Sequence, residues 1–157
     1  IITKKTASLL ASCCGIGTNS TIQDESTLEV MLAMGEALGI AFQIKDDLFD
    51  YGDNKIGKPT GIDIVEKKMT LPLIYALNNT DKKGRRRIIK IIKKDKKSKD
   101  QIQEVVRFVE ENGGIEYAQN RMMEYKVKAE NILNSIETTS PTVYLQALID
   151  YVINRKK

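Results

Sequence analysis

The chain has no histidine and no tryptophan, and its 157 residues include only two cysteines, three prolines and three phenylalanines. Without histidine, a zinc centre of the usual His/Cys kind is not expected, nor is a Ser-His or Cys-His nucleophile pair. The cysteines are neighbours, Cys13 and Cys14. Adjacency disfavours a mutual disulfide and fits a reducing compartment, so a cytoplasmic location is expected. No apolar run approaches the ~18 residues of a membrane span, so no transmembrane segment is expected. No signal-peptide architecture stands at the N-terminus, and no alternating strand pattern occurs. What remains available for chemistry is carboxylates, lysines, hydroxyls and whatever metal or substrate they hold.

Hydrophobic residues at 41% and charged residues at 29% suit one globular domain with a real core. The net charge of +4 is an average of unlike parts. Residues 81–100 carry eight Lys and three Arg against three Asp, a local +8 that leaves the rest at −4. That basic segment, 82–99 at its core, lacks aromatic residues for base stacking and is interrupted by Asp81, Asp95 and Asp100. Nucleic acid or an anionic membrane are the partners such a segment could take, but a solvated helix pair is the better reading, with no nucleic-acid partner expected.

Periodicity predicts an all-α fold of about seven helices. Residues 2–14 read as the end of a helix, and residues 15–20 as a glycine-marked turn. The opening at Ile1, inside a helical pattern and without a cap, leads us to expect a fragment of a longer protein. Ser26-Thr27-Leu28-Glu29 fits a capping box for a long helix running to about Tyr51, stopped by Gly52. Residues 52–69 form a glycine-punctuated loop. Thr70 then caps a helix with Pro72 in its first turn, reaching about Asn78. Asp81 opens the basic segment, where Ile88, Ile89, Ile91 and Ile92 make one apolar stripe. Ser98 opens 99–112, closed by Gly113-Gly114. Ile115, Ala118, Met122, Tyr125, Ala129, Ile132 and Ile136 form a seam at spacings of three and four over 115–137. Ser140-Pro141 pair as N-cap and first residue of a last helix over 141–154.

The most unusual stretch ends the long helix. On a helix Gln43, Asp46, Asp47 and Asp50 share an arc of about 100°, continued backwards by Gly39 and Glu36. The far side carries Met34, Leu38, Ala41, Phe42, Leu48 and Phe49, which anchor it in a core. Three Asp and two Gly weaken this helix by roughly 4 kcal/mol relative to alanine, and like-charge neighbours add a few tenths more. Lys45 points away from the aspartates and does not neutralise them. Two readings stay open on geometry: a solvated acidic face, or a site for a hard divalent cation. The loop that follows contains a near P-loop, Gly52 to Gly57-Lys58. It fails as one, because Pro59 stands where a hydroxyl is needed and a helix precedes it. An EF-hand fails as well, for want of alternating acids and a closing Glu.

Four pieces together resemble one family. Residues 39–51 resemble the second aspartate-rich motif of the trans-isoprenyl (polyprenyl) diphosphate synthases, and residues 57–63 resemble the glycine-lysine loop that follows it. Lys67-Lys68-Met69-Thr70-Leu71-Pro72 resembles the family's Gly-Lys-x-Thr-Leu-Pro segment, with Lys67 in place of glycine. Lys5-Thr6-Ala7 resembles its Lys-Thr pair. The resemblance implies the C-terminal half of a single synthase domain and of the isoprenoid-synthase helical bundle, over residues 1–157. The family's first aspartate-rich motif and arginine pair lie upstream of the part resembled, and no other Asp-Asp-x-x-Asp occurs here.

The implied activity is Mg²⁺-assisted 1′–4 condensation of an allylic diphosphate with isopentenyl diphosphate. By motif position Asp46, Asp47 and Asp50 would hold the metal. Gln43 would orient the allylic end or a metal-bound water, Thr6 would offer a hydroxyl near the reacting carbon or diphosphate, and Lys5, Lys58 and Lys68 would meet the allylic diphosphate. Arg155-Lys156-Lys157 resembles the basic tail of some members, beside the simpler reading of a frayed terminus. A homodimer is implied for the full-length form, and inactivity is expected of these residues alone. The competing reading is a non-catalytic helical subunit of a heteromeric synthase; terpene cyclisation is weaker still, since cyclases do not usually combine the Gln43 and Gly57-Lys58 pieces.

Overall fold

In the computed structural model the described residues are 6–22, 24–52, 61–136 and 140–155. They form eight helices: α1 (Ser8–Thr21), α2 (Glu25–Phe49), α3 (Ile62–Val65), α4 (Leu71–Asn78), α5 (Lys82–Ile92), α6 (Lys99–Glu111), α7 (Gly114–Leu133) and α8 (Ser140–Asn154). No strand occurs among the described residues. The expected count of about seven is exceeded by α3, a single turn inside the stretch expected to be loop.

The described residues form two compact units, one of those up to 45 together with those from 121 onward, the other of those within 46–120. In the first, α1 and α2 meet through glycines. A Cβ on Gly39 would lie 2.5 Å from the Ala7 Cα, one on Gly35 2.9 Å from the Ala11 Cα, and one on Gly15 2.7 Å from the Leu32 Cδ2. This close approach explains why α1 continues through residues 15–20, where a turn was expected. Gly15 serves contact rather than chain reversal, and Gly17 faces open space on the same helix. The N-cap of α2 is Asp24, whose carboxylate accepts the Thr27 N–H at 2.8 Å, so the capping box does not start at Ser26. The Thr27 hydroxyl, which donates to the same carboxylate, and then this N–H lower the Asp24 pKa.

Inward residues of this unit include Met34, Leu38, Ala41 and Ile44 from α2 and Ile149, Val152 and Ile153 from α8. By length and composition α2 could cross a membrane, with 25 residues and an 18-residue stretch of mean hydropathy 1.4. That qualifies the expectation that no segment could span, although a core helix with this buried face passes the same test. Within the same unit Lys126 on α7 bridges Glu130 and reaches Asp150 on α8 at 2.9 Å.

In the second unit α4 packs on α5 and α6, and α6 also receives α3 and α5. Its core gathers Tyr51, Ile64, Leu73, Leu77, Ile88, Ile91, Ile92, Val105 and Val109. The caps follow the sequence here: Asp81 accepts the Gly84 N–H, and Ser98 with Gln101 forms a complete capping box. Thr70 is the N-cap of α4 but spends its hydroxyl elsewhere.

The Gly39→Ala variant should lose about 2 kcal/mol of stability, because the added methyl meets backbone that has no room to yield. Urea denaturation followed by circular dichroism measures it; an unchanged midpoint would contradict the glycine contact.

Candidate functional site

The end of α2 is shaped by its last carboxylates. The helix closes at Phe49 with tightened i→i+3 bonds, Asp50 N–H to the Asp47 carbonyl and Tyr51 N–H to the Leu48 carbonyl at 3.3 and 3.1 Å. Asp50 therefore leaves the helical stripe. Its carbonyl accepts the Gly61 N–H at 3.1 Å, its Oδ1 the Ile62 N–H at 2.9 Å and its Oδ2 the Asp63 N–H at 3.0 Å. Three consecutive amides of the returning chain thus converge on one residue. Gly61, with φ of 84°, is the glycine this entry into α3 needs. Having no side chain to cap α3, it leaves that task to Asp50.

The exit from α3 is equally defined. Lys68 N–H bonds the Asp63 carbonyl at 2.8 Å and Lys67 N–H the Ile64 carbonyl at 3.2 Å, the paired bonds of a Schellman motif. Its left-handed position is Lys67, at φ 59°. This is the position where the resembled motif has glycine, so the departure seen in sequence falls where the backbone favours glycine. The Lys67 ammonium is paired with Asp95 at 2.5 Å, an exposed contact of little weight.

Asp47 is buried, and its Oδ2 faces the Leu71 N–H at the start of α4 across a long 3.4 Å. Beside it the Tyr51 hydroxyl and the Thr70 hydroxyl are hydrogen-bonded at 2.5 Å. Burial, opposed by that bond and aided by the nearby Asp50, Asp47 and Asp63 carboxylates, raises the Tyr51 pKa well above its usual value, so the phenol stays protonated. Asp46 is half-buried, the most accessible of the three aspartates. Lys68 lies between Asp63 Oδ1 at 2.9 Å and Glu66 Oε2 at 2.7 Å, and these two partners raise its pKa. In the other unit the Thr6 hydroxyl, in a wide π-type turn ahead of α1, donates to Gln43 Oε1 at 2.9 Å. Arg155 stacks over the Phe42 ring at 4.3 Å.

Of the candidates read from sequence, Asp46, Asp47, Asp50 and Lys68 thus fall in one compact unit, while Thr6 and Gln43 are joined in the other. Lys5 and Lys58 lie outside the described residues. Among the described residues no group of three or more acidic or cysteine side chains is gathered to hold a metal by itself. Asp50 and Asp47 are turned toward backbone amides, which a helical-wheel projection cannot anticipate. Sequence reasoning passed over Asp63, Glu66, Tyr51 and Thr70. Asp63 and Glu66 carried no periodic signal; the Thr70 cap position was legible, its partner was not.

The polyprenyl synthetase family model matches residues 1–109. The short chain isoprenyl diphosphate synthase of Methanothermobacter thermautotrophicus is 31% identical over 159 residues, covering 99% of this chain and 48% of that protein. The crystal structure of geranylgeranyl pyrophosphate synthase from Bacteroides thetaiotaomicron superposes with a TM-score of 0.89 at 42% identity, covering 98% of this chain and 51% of that one. The polyprenyl synthase of Caulobacter crescentus, complexed with calcium and isoprenyl diphosphate, gives 0.88 at 26% identity, with 99% and 48% covered. The chain therefore spans about half the length of these relatives, whose helical fold it shares.

Two stability measurements check this geometry. Lys67→Gly should stabilise the protein by about 1 kcal/mol, by relieving a left-handed lysine. Asp50→Ala should cost about 2 kcal/mol through two lost charge-assisted bonds, and should speed amide hydrogen exchange at Ile62 and Asp63. Unchanged exchange at those two amides would contradict the anchoring role.

Proposed function

The chain belongs to the polyprenyl synthetase family, and from that premise we propose that it forms the C-terminal half of a single prenyl-elongating domain. The proposed reaction joins an allylic diphosphate to isopentenyl diphosphate. The allylic C–O bond ionises, the homoallylic double bond attacks the carbocation, a proton is lost and pyrophosphate departs. One observation carries the assignment of the site. Asp50 ties residues 61–63 to the end of α2, so Asp46, Asp47 and Lys68 are held within one compact unit.

The donor set fits magnesium. It offers carboxylate oxygens without sulfur or imidazole, and Mg²⁺ takes one or two protein carboxylates and completes its shell with phosphate and water. In this proposal Asp46 is the main ligand. Asp47 and Asp50 support it. A relative complexed with calcium and isoprenyl diphosphate supports pairing a divalent cation with that substrate class in this fold. The chemistry a bound ion supplies is stabilisation of negative charge on the leaving pyrophosphate.

Lys68 provides a mobile point charge for the diphosphate. Its exposed contacts with Asp63 and Glu66 are exchangeable for phosphate oxygens. Lys5 and Lys58 would add to it. By motif position Gln43 would orient the allylic end or a metal-bound water, and Thr6, whose hydroxyl donates to Gln43 Oε1, would stand near the reacting carbon or diphosphate. A base on the protein is not required, because pyrophosphate can take the proton. For the whole enzyme we propose a homodimer.

Calorimetric titration of an allylic diphosphate in the presence of Mg²⁺ tests the site on this chain directly. The Asp46→Ala/Asp47→Ala double variant and Lys68→Ala should each weaken binding about tenfold or more, some 1.4 kcal/mol or above. Turnover should require the upstream aspartate motif as well. Wild-type binding by the double variant would overturn the metal assignment, and elongated product from these 157 residues alone would overturn the half-site reading.

A further inference from the structure

Helix α5 carries its charge in an unusual arrangement. Its apolar side, Ile88, Ile91 and Ile92, is buried in the core of its unit. Along the opposite side of the helix and the turn that continues it, Lys82, Lys83, Arg86, Lys90, Lys93 and Lys94 are all exposed, while Arg85 is exposed beside the isoleucines. Placed at 100° per residue, these six occupy a continuous arc of about 120° opposite Ile88. Within α5 no acidic residue interrupts that arc.

The surface of α7 is built differently. There Arg121 pairs with Glu124, and Lys126 pairs with Glu130. On α5 the six cations have no ion-pair partner among the described residues; only Arg87, at the margin of the arc, has one, Glu104 at 2.6 Å. Like charges at i,i+3 and i,i+4, such as Lys82 with Arg86, Arg86 with Lys90 and Lys90 with Lys94, repel along the helix. The arrangement thus works against the helix that carries it, and an external polyanion relieves the repulsion.

From this we propose that the outer face of α5 is a docking surface for an anionic lipid bilayer. Charge complementarity gives the sign of the partner, and shape selects among polyanions. Six of the eight cations of residues 82–94 lie along one side and present a line of charge to a plane. The arc holds no aromatic side chain for stacking on bases, and none that would insert as an apolar wedge. Attachment would therefore be electrostatic and reversible, through headgroups alone. The turn after α5 continues the surface toward α3, where Lys97 donates to the Val65 carbonyl. The inference does not depend on the prenyl-transfer reading, because it predicts binding to vesicles free of any prenyl substrate.

The test is flotation of this chain with phosphatidylcholine vesicles, and with vesicles containing about one third phosphatidylglycerol, at low and high salt. Binding should occur only with the anionic vesicles and fall steeply as salt rises. Lys83→Glu/Arg86→Glu/Lys90→Glu should bind at least about tenfold more weakly, with an unchanged circular dichroism spectrum. Replacing the same two lysines with arginine should preserve binding, and Lys128→Glu, in the other unit, should leave it unaltered. Absence of binding at low salt overturns the proposal. So does equal loss with Lys128→Glu, or preference for a duplex oligonucleotide over the anionic vesicles. If the triple reversal unfolds the chain, Lys83→Gln/Lys90→Gln with native stability and undiminished binding would overturn it equally.

Discussion

Three consecutive backbone amides ending on Asp50 are the constraint from which the candidate site is built. Without them the return of the chain at Gly61 would have no fixed relation to the end of α2. With them, α3 starts in a defined place, its Schellman exit positions Lys68, and the segment leads directly into α4 beneath the Tyr51–Thr70 hydrogen bond. A carboxylate accepting amide hydrogens is stronger than a neutral acceptor, and burial removes the competing water. Asp50 thus does structural work that its place in an aspartate-rich motif does not announce. The metal role proposed for it must share the residue with that task.

The local cost of the acidic helix also acquires an explanation. Its glycines weaken α2 considered as an isolated helix. In the folded unit Gly35 and Gly39 face the backbone of α1 so closely that no side chain fits. The intrinsic helix penalty is the condition for that approach. Gly15 shows the same logic from the other helix, and it misled a reading in which glycine marks a turn. Propensity is a one-dimensional quantity, whereas the contact that overrides it involves residues about thirty positions apart.

The two lysine-rich features differ in kind. Lys67 and Lys68 are tied into acidic partners around α3, where their charge is locally balanced. On α5 Arg87 pairs with Glu104, but Lys82, Lys83, Arg86 and Lys90 have no ion-pair partner among the described residues, and burial of the isoleucine face turns these four outward together. Composition alone could not separate a solvated helix from a segregated charged face. The distinction needs the orientation of the helix in its unit.

From the sequence alone followed the all-α class, most helix starts and stops, the apolar seams, and the motif order that identifies the family. These are properties of residues within a turn or two of one another, where capping, periodicity and spacing act directly. The tertiary structure decided that α1 runs on through its glycines, that a one-turn helix sits in the expected loop, and that Asp50 leaves the acidic stripe to hold amides 61–63. It also decided that Lys67 occupies a left-handed position and that Lys68 rests on Asp63 and Glu66. Each of these is settled by a contact or a backbone angle that depends on how distant segments, or the two ends of a turn, are brought together. No local pattern of residues encodes that.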